Sequence, residues 1–386
     1  MPNNKISSFF DEELQNNTEV INQDSTGDPV SDINSLDNHD IDVEVPSISE
    51  VTSNTVHYDN DDYQYFDDIG VSKDNIRDLK RQAQIKMTPD EYRNRLTELN
   101  ERAENKHFVM LFGTPSSGKS YVIASLLHYM NSYLPGNVRL NPERTTKQDS
   151  LIFNTMQEMF SNPRKRIGRT GTLDFYELNV LYEPEELNKP EVEITFIDAS
   201  GENMIRMFDG DTERYAGELP DSLEVILDSR VNCKFIFVYD QSQRRLEREH
   251  KELAPQVMIL QALYNRVLEL QKKNKKRYPK ILLLSKSDKI SQEERMKYGE
   301  SPQAYALSDD NELKSFAKGF FTEANSPNKT IFYKIGTFTK HDDLDVFDEE
   351  CPKRLFDWLY SSITGRTASK QVSWWRRFVN WLVGKS

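Results

Sequence analysis

Cysteine is almost missing from this chain: 386 residues hold only Cys233 and Cys351. Two thiols cannot build a disulfide framework, and with no CxxC or Cys/His cluster they offer no zinc-ligand spacing. A reducing compartment is the expectation. Long hydrophobic runs are missing too. No stretch approaches the eighteen or so apolar residues of a membrane span, and the opening MPNNKISSFFDEEL lacks the basic start and continuous apolar run of a secretory leader. A cytoplasmic protein is expected. Basic residues are scarce at one end: residues 1–70 carry seventeen Asp and Glu against Lys5 alone, a net charge of −16. The whole-chain charge of −13 therefore leaves +3 for the remainder. The acidity belongs to an arm and not to the body of the protein.

That arm, residues 1–71, is rich in Asp, Asn and Ser, with scattered Val and Ile in no sustained period, so it cannot bury enough surface to offset chain entropy. Disorder is expected there. Within it, YDNDDYQYFDD (58–68) interleaves aromatics with acids, a pattern suited either to a basic partner surface or to a solvated tail. Residues 72–105 read as a helical lead-in of two helices meeting at Thr88-Pro89, where Thr can cap and Pro fits the first turn. Short apolar runs then alternate with helical stretches: 107–112, 173–182, 192–198, 234–240, 280–285 and 330–336. This is an α/β pattern with a mostly parallel central sheet flanked by helices. Residues 241–278 form a mostly helical insertion, whose apolar stripe Met258, Leu260, Leu263, Val267 and Leu270 is expected to be core. The body of this domain is placed at 106–363.

The first apolar run is followed directly by Gly113-Thr114-Pro115-Ser116-Ser117-Gly118-Lys119-Ser120 and then by a helix-forming segment. This fits GxxxxGK[ST], the P-loop or Walker A pattern, in its required strand–loop–helix context. The physical reason for each position is plain. Backbone N–H groups of Gly113, Ser116, Ser117, Gly118 and the first helical residues to Tyr121 can close around phosphates, helped by the helix dipole. Lys119 reaches the β- and γ-phosphates, and Ser120 offers its hydroxyl to Mg²⁺.

A P-loop does not separate GTP from ATP. Two later segments bear on that choice. Asp198-Ala199-Ser200-Gly201 closes an apolar run, where Asp198 can hold Mg²⁺ through water and the Gly201 amide can sense a γ-phosphate. Ser285-Lys286-Ser287-Asp288 ends the fifth run. There Asp288 can accept guanine N1–H and N2–H₂ while the Lys286 stem lies over the base, a donor pair that adenine lacks. Each segment has a plainer reading as an ordinary strand end or a solvated charged turn.

In this order, Gly113–Ser120, Asp198–Gly201 and Ser285–Asp288 resemble the translation-factor-related (TRAFAC) class of GTPases over roughly residues 105–340. Within that class, the long insertions and the DASGE sequence resemble the double-GTPase groups of bacterial conflict and defence systems. The resemblance implies a Ras-like P-loop domain binding GTP/GDP with Mg²⁺, and two nucleotide-sensing switches. For the first it implies a Thr whose hydroxyl joins Mg²⁺; Thr170 and Thr172 are the candidates, with Thr145 and Thr146 as upstream alternatives. Arg164, Lys165, Arg166 and Arg169 crowd the same stretch, as a solvated patch or as a source of an arginine finger. For the second switch, Glu202 stands where many members carry the Gln that orients the attacking water, so slow hydrolysis is expected. Ser285 replaces the usual Asn or Thr, with weaker bracing of the loop expected. The base-contacting loop after the last strand is placed near Gly336-Thr337.

Residues 364–386 form a basic, aromatic tail with five basic residues and no acid. In 372–386, Trp374, Trp375, Phe378, Trp381 and Leu382 share one helical side, which suits a peripheral membrane contact or a partner's groove. Nothing in the sequence points to nucleic acid. The expected function is a GTP-binding, slowly hydrolysing switch that signals to a protein effector or activator. The alternatives are an ATPase of another P-loop class or a non-hydrolysing nucleotide-binding scaffold.

Overall fold

The computed structural model describes residues 86–162, 175–205, 207, 218–243, 255–299, 301–309, 311–323, 329–339 and 344–366. The acidic arm, most of the first lead-in helix, Thr170, Thr172, the basic cluster at 164–169 and the aromatic tail lie outside them.

Helix α1 (Pro89–Asn100) begins where the sequence places it. Thr88 is the N-cap, its hydroxyl accepting from the Glu91 amide while the Glu91 carboxylate accepts from the Thr88 amide, and Pro89 fills the first turn. The helix buries Leu99 and is pinned by Tyr92, whose hydroxyl donates to Asp228 at 2.8 Å, and by Arg95, which forks onto Glu177.

Strand β1 (His107–Phe112) leads through the glycine loop into α2 (Lys119–Tyr133), followed by β2 (Gly136–Leu140), α3 (Lys147–Ser161), β3 (Phe175–Pro184) and β4 (Val192–Ala199). Then come short α4 (Gly201–Ile205), α5 (Asp221–Asp228), β5 (Asn232–Asp240), α6 (Gln256–Asn274) and β6 (Lys280–Ser285). The chain continues with α7 (Gln292–Tyr298), α8 (Pro302–Leu307), α9 (Lys314–Thr322), β7 (Lys329–Phe332), a hairpin of β8 (Gly336–Phe338) and β9 (Leu344–Phe347), and α10 (Glu350–Thr364).

Seven strands form one sheet in the order β2-β3-β4-β1-β5-β6-β7. From β4 to β7 the neighbours are parallel, whereas β3 runs antiparallel to both β2 and β4. The central strands read as unbroken apolar runs because both faces are covered. Phe108, Met110, Phe112, Phe235, Phe237 and Leu282 face the side packed by α1, α5, α6, α8 and α9. Val109, Leu111, Ile236, Val238, Ile281 and Leu283 face α2, α3 and α10 on the other. Each fully buried side chain of this size contributes about 1.5–3 kcal/mol, so the alternation along β1 alone ties both helix layers to one strand. In α6, Leu260, Leu263, Val267 and Leu270 are buried in the core, and Met258 is partly buried against it.

The sequence reading lacked β2 and the β8–β9 hairpin. Val138 and Leu140 in β2 are only partly buried, at the open edge of the sheet, so the apolar signal is faint. Among the described residues no helix is long and apolar enough to cross a membrane. Cys233 and Cys351 are free and buried.

Candidate functional site

In a parallel sheet every crossover returns to the same end, so the carboxyl ends of β4, β1, β5 and β6 emerge side by side. That end carries the glycine loop, Asp198, Gly201 and Glu202, and the Ser285–Asp288 segment. Between β1 and α2 the loop Gly113–Ser120 folds back on itself, with Ser116 at φ 57° and Gly118 at φ 88°, both in the left-handed region. Gly118 takes that conformation without penalty, whereas Ser116 carries a cost of about 1 kcal/mol, an expense that active loops commonly bear.

Lys119 is buried, and its ammonium donates to the carbonyl oxygens of Gly113 at 3.2 Å and Thr114 at 3.0 Å. The cation is thereby held at the mouth of the loop. Next to it, the Ser120 hydroxyl lies 3.0 and 2.9 Å from the two carboxylate oxygens of Asp198. Asp198 ends β4 in a buried position. One hydroxyl and one carboxylate, both hard oxygen donors, fit a Mg²⁺ ion that takes its remaining ligands from phosphate and water. Among the described residues no group of three or more His, Cys, Asp or Glu gathers for a metal. Tyr121, in the first turn of α2, is partly buried and packs on the α2 side of the sheet.

Gly201 opens α4 directly against this loop. A Cβ added there would lie 2.2 Å from the Pro115 nitrogen and 2.5 Å from its Cα, so only glycine lets the two backbones touch. Glu202 is buried: its carboxylate accepts from the Ser200 hydroxyl, and its own amide donates to the same oxygen at 3.3 Å.

On the other flank the Ser285 hydroxyl approaches the carbonyl oxygens of Ser117 at 3.0 Å and Tyr239 at 3.2 Å. The serine thus braces the loop with a single proton shared between two acceptors. Lys286, at φ 51°, extends to the Asp240 carboxylate at 3.0 Å and the Ser242 hydroxyl at 3.3 Å. Asp240 is fully buried, with its backbone bracketed by the Gln256 amide at 2.9 and 2.8 Å. Asp288 is exposed in a single 3₁₀ turn (Ser287–Lys289), and its carboxylate has no hydrogen bond or ion pair with a described residue. The turn is moored by Ser287, whose amide donates to Tyr333 at 3.1 Å and whose carbonyl accepts from Arg295 at 3.2 Å.

Gly336 and Thr337 lie in β8, paired with Phe347 and Val346. The segment that directly follows β7 is Tyr333–Ile335, and the Tyr333 hydroxyl meets Ser125 of α2 at 2.7 Å. Of the upstream threonines, Thr146 caps α3 in a box with Asp149, and Thr145 donates to the Asn141 carbonyl at 2.6 Å. Both therefore have structural work. A contact absent from the sequence reading is Gln243, which grips the loop at Thr114 and Pro115. No spacing rule marks it, because the pairing spans 128 residues or more.

No family model and no curated protein sequence matches this chain. Among the solved structures to which the chain is similar are the following three, each with a low TM-score. The SRb-GTP/SRX complex of the signal recognition particle receptor from Chaetomium thermophilum is 16% identical, with a TM-score of 0.35 over 66% of this chain and 98% of that one. A dimerization-deficient mutant of Toc33 from Arabidopsis thaliana is 13% identical, with 0.33 over 75% and 96%. A protein described as nucleolar GTP-binding protein 1 from Plasmodium falciparum is 13% identical, with 0.28 over 61% and 79%. The sheet itself fixes the architecture: with the loop-bearing β1 next to the Asp198 strand, and β3 antiparallel beside that strand, this chain has a Ras-like P-loop fold.

Proposed function

We propose that this chain binds GTP with Mg²⁺, hydrolyses it slowly, and presents its nucleotide state to protein partners. One observation carries the reading: the single loop Gly113–Ser120 is tied by Ser120 to Asp198 on one flank and by Ser117 to Ser285 on the other. These contacts support a reading in which a phosphate-and-metal anchor and a base-reading segment flank one loop. Lys119 and the loop amides bind the phosphates, and Ser120 and Asp198 would hold the metal, which when bound neutralises phosphate charge. Asp288 accepts the paired donors of guanine; adenine would leave that carboxylate unsatisfied. Partners read the segments that sense the terminal phosphate, Gly201–Glu202 and the stretch containing Thr170 and Thr172. The tail at 372–386 adds a contact for a partner groove or a membrane surface.

A second reading, a nucleotide-binding scaffold without turnover, is favoured by the burial of Glu202 and its bond to Ser200. A buried carboxylate engaged by the Ser200 hydroxyl is poorly placed to orient a water molecule at a phosphate.

Titration with fluorescent GTP and ATP analogues in Mg²⁺ tests the first reading. Selective GTP binding, lost in Lys119→Ala and redirected toward xanthine nucleotides in Asp288→Asn, supports it. Equal ATP binding that Asp288→Asn leaves unchanged sinks the guanine assignment. Single-turnover hydrolysis separates a slow switch from a scaffold, since a scaffold leaves bound GTP intact for hours.

A further inference from the structure

The turn that leaves β5 reaches both flanks of the loop, at Lys286 and at Thr114–Pro115. Gln243 uses both ends of its amide: Nε2 donates to the Pro115 carbonyl at 2.7 Å, and Oε1 accepts from the Thr114 hydroxyl at 2.8 Å. The amide has one workable orientation, because turning it over would set Oε1 against the Pro115 carbonyl. Pro115 has no N–H of its own with which to anchor this corner. The same dipeptide is pressed from another side by Gly201, where even a Cβ would overlap the Pro115 and Thr114 backbone. Three residues before Gln243, the turn is fixed by Asp240, which holds Lys286 and accepts from the Ser242 amide at 2.8 Å and hydroxyl at 2.7 Å.

We infer that Gln243 is a positioning residue for the terminal phosphate: it clamps the Thr114–Pro115 corner of the loop against Gly201. The inference rests on the GTP reading above. Hydrolysis forms a bond from water oxygen to the γ-phosphorus and breaks the bond to the GDP oxygen, with the water's proton leaving to solvent or phosphate. Gln243 touches none of these atoms. It fixes the wall that the γ-phosphate and the Gly201 amide must share, and misplacement of such a wall by about 1 Å costs up to about a hundredfold in rate. GDP lacks the γ-phosphate that would meet this wall, so its binding depends less on the clamp.

The full-length chain is compared with Gln243→Ala, Gln243→Glu and Thr114→Val in three measurements: single-turnover GTP hydrolysis at saturation, GTP and GDP affinities, and thermal stability. The expected result for Gln243→Ala is hydrolysis lowered about tenfold or more and a reduced preference for GTP over GDP, with GDP affinity kept within about threefold. Gln243→Glu, which sets a carboxylate against the Pro115 carbonyl, falls at least as far. Thr114→Val falls less, and combining it with Gln243→Ala adds little. If the wild-type chain binds GTP without turnover, the GTP-to-GDP ratio alone decides. Variants that lower melting temperature but match wild type in hydrolysis and in that ratio overturn the inference and leave the GTP reading standing. Failure of the wild-type chain to bind either guanine nucleotide overturns both.

Discussion

The hydroxyl of Ser285 lies 3.0 Å from the carbonyl oxygen of Ser117, a bond between the end of β6 and the middle of the glycine loop. Both groups are buried, so removing the donor leaves a carbonyl that water cannot serve. Ser285→Ala is expected to cost about 1–2 kcal/mol and to speed nucleotide dissociation by about tenfold. Stopped-flow release of a fluorescent guanine nucleotide checks this, and an unchanged rate would show that the brace does not reach the ligand.

Gly201 touches the loop so closely that the overlap of an added Cβ falls on backbone atoms, which cannot rotate away. Gly201→Ala should therefore lower stability by about 1–3 kcal/mol, or push α4 off the loop at a similar cost. Urea unfolding with and without bound nucleotide reads both outcomes, the second as a loss of ligand-induced stabilisation.

The contact between Ser120 and Asp198 predicts a metal dependence that can be dissected. Chelation with EDTA should weaken GTP binding to the wild-type chain by at least tenfold. In Ser120→Ala the binding starts weak and responds little to EDTA. Equal sensitivity of the two proteins to EDTA would show that the metal is held elsewhere.

At the opposite end of the sheet, Lys234 is buried, with its nitrogen 2.8 Å from His107 Nδ1 and 3.0 Å from the Asn232 carbonyl. Burial pushes the Lys234 ammonium down to about 7, and burial together with the Lys234 and Lys276 charges pushes His107 down to about 4. Both folded values lie below the unfolded ones. The Lys234 contribution to stability is therefore full above about pH 10.5 and is lost as pH falls toward 7; that of His107 is full above about 6.5 and is lost through 4. Lys234→Met, which keeps the chain length and discards the charge, should exceed wild type in stability most at pH 7 and below. Its advantage should shrink by about 1.4 kcal/mol per unit as pH rises toward 10. Denaturant melts at pH 6, 8 and 9.5 test the trend, and a constant offset would mean that Lys234 is not titrating in this window.

Much of this architecture is legible along the chain. Unbroken apolar strands announce a sheet covered on both faces, Thr88-Pro89 announces a helix start, and GTPSSGKS carries its own strand and helix with it. These are local matters of periodicity, capping and glycine freedom, and they survive without knowledge of what lies across the fold. The edge strand β2 escaped because an edge buries little, and its Val138 and Leu140 give no pattern that a loop could not. Gly336 and Thr337, expected in a loop, lie in β8, since the pairing of Gly336 with Phe347 is not written near either residue.

The sequence by itself determined which chemical groups are present and in what order: a phosphate loop, an acid ending a strand, and a Lys-x-Asp turn after a later one. Only the tertiary structure decided that Ser285 meets the Ser117 carbonyl, that Glu202 is buried with its carboxylate on the Ser200 hydroxyl, and that Gln243 grips Thr114 and Pro115. The reason is physical. Spacing rules see neighbours within a helical turn or a strand, whereas the Ser285 and Gln243 contacts join residues 128 to 168 positions apart, brought together by parallel strands that deliver their ends to one edge.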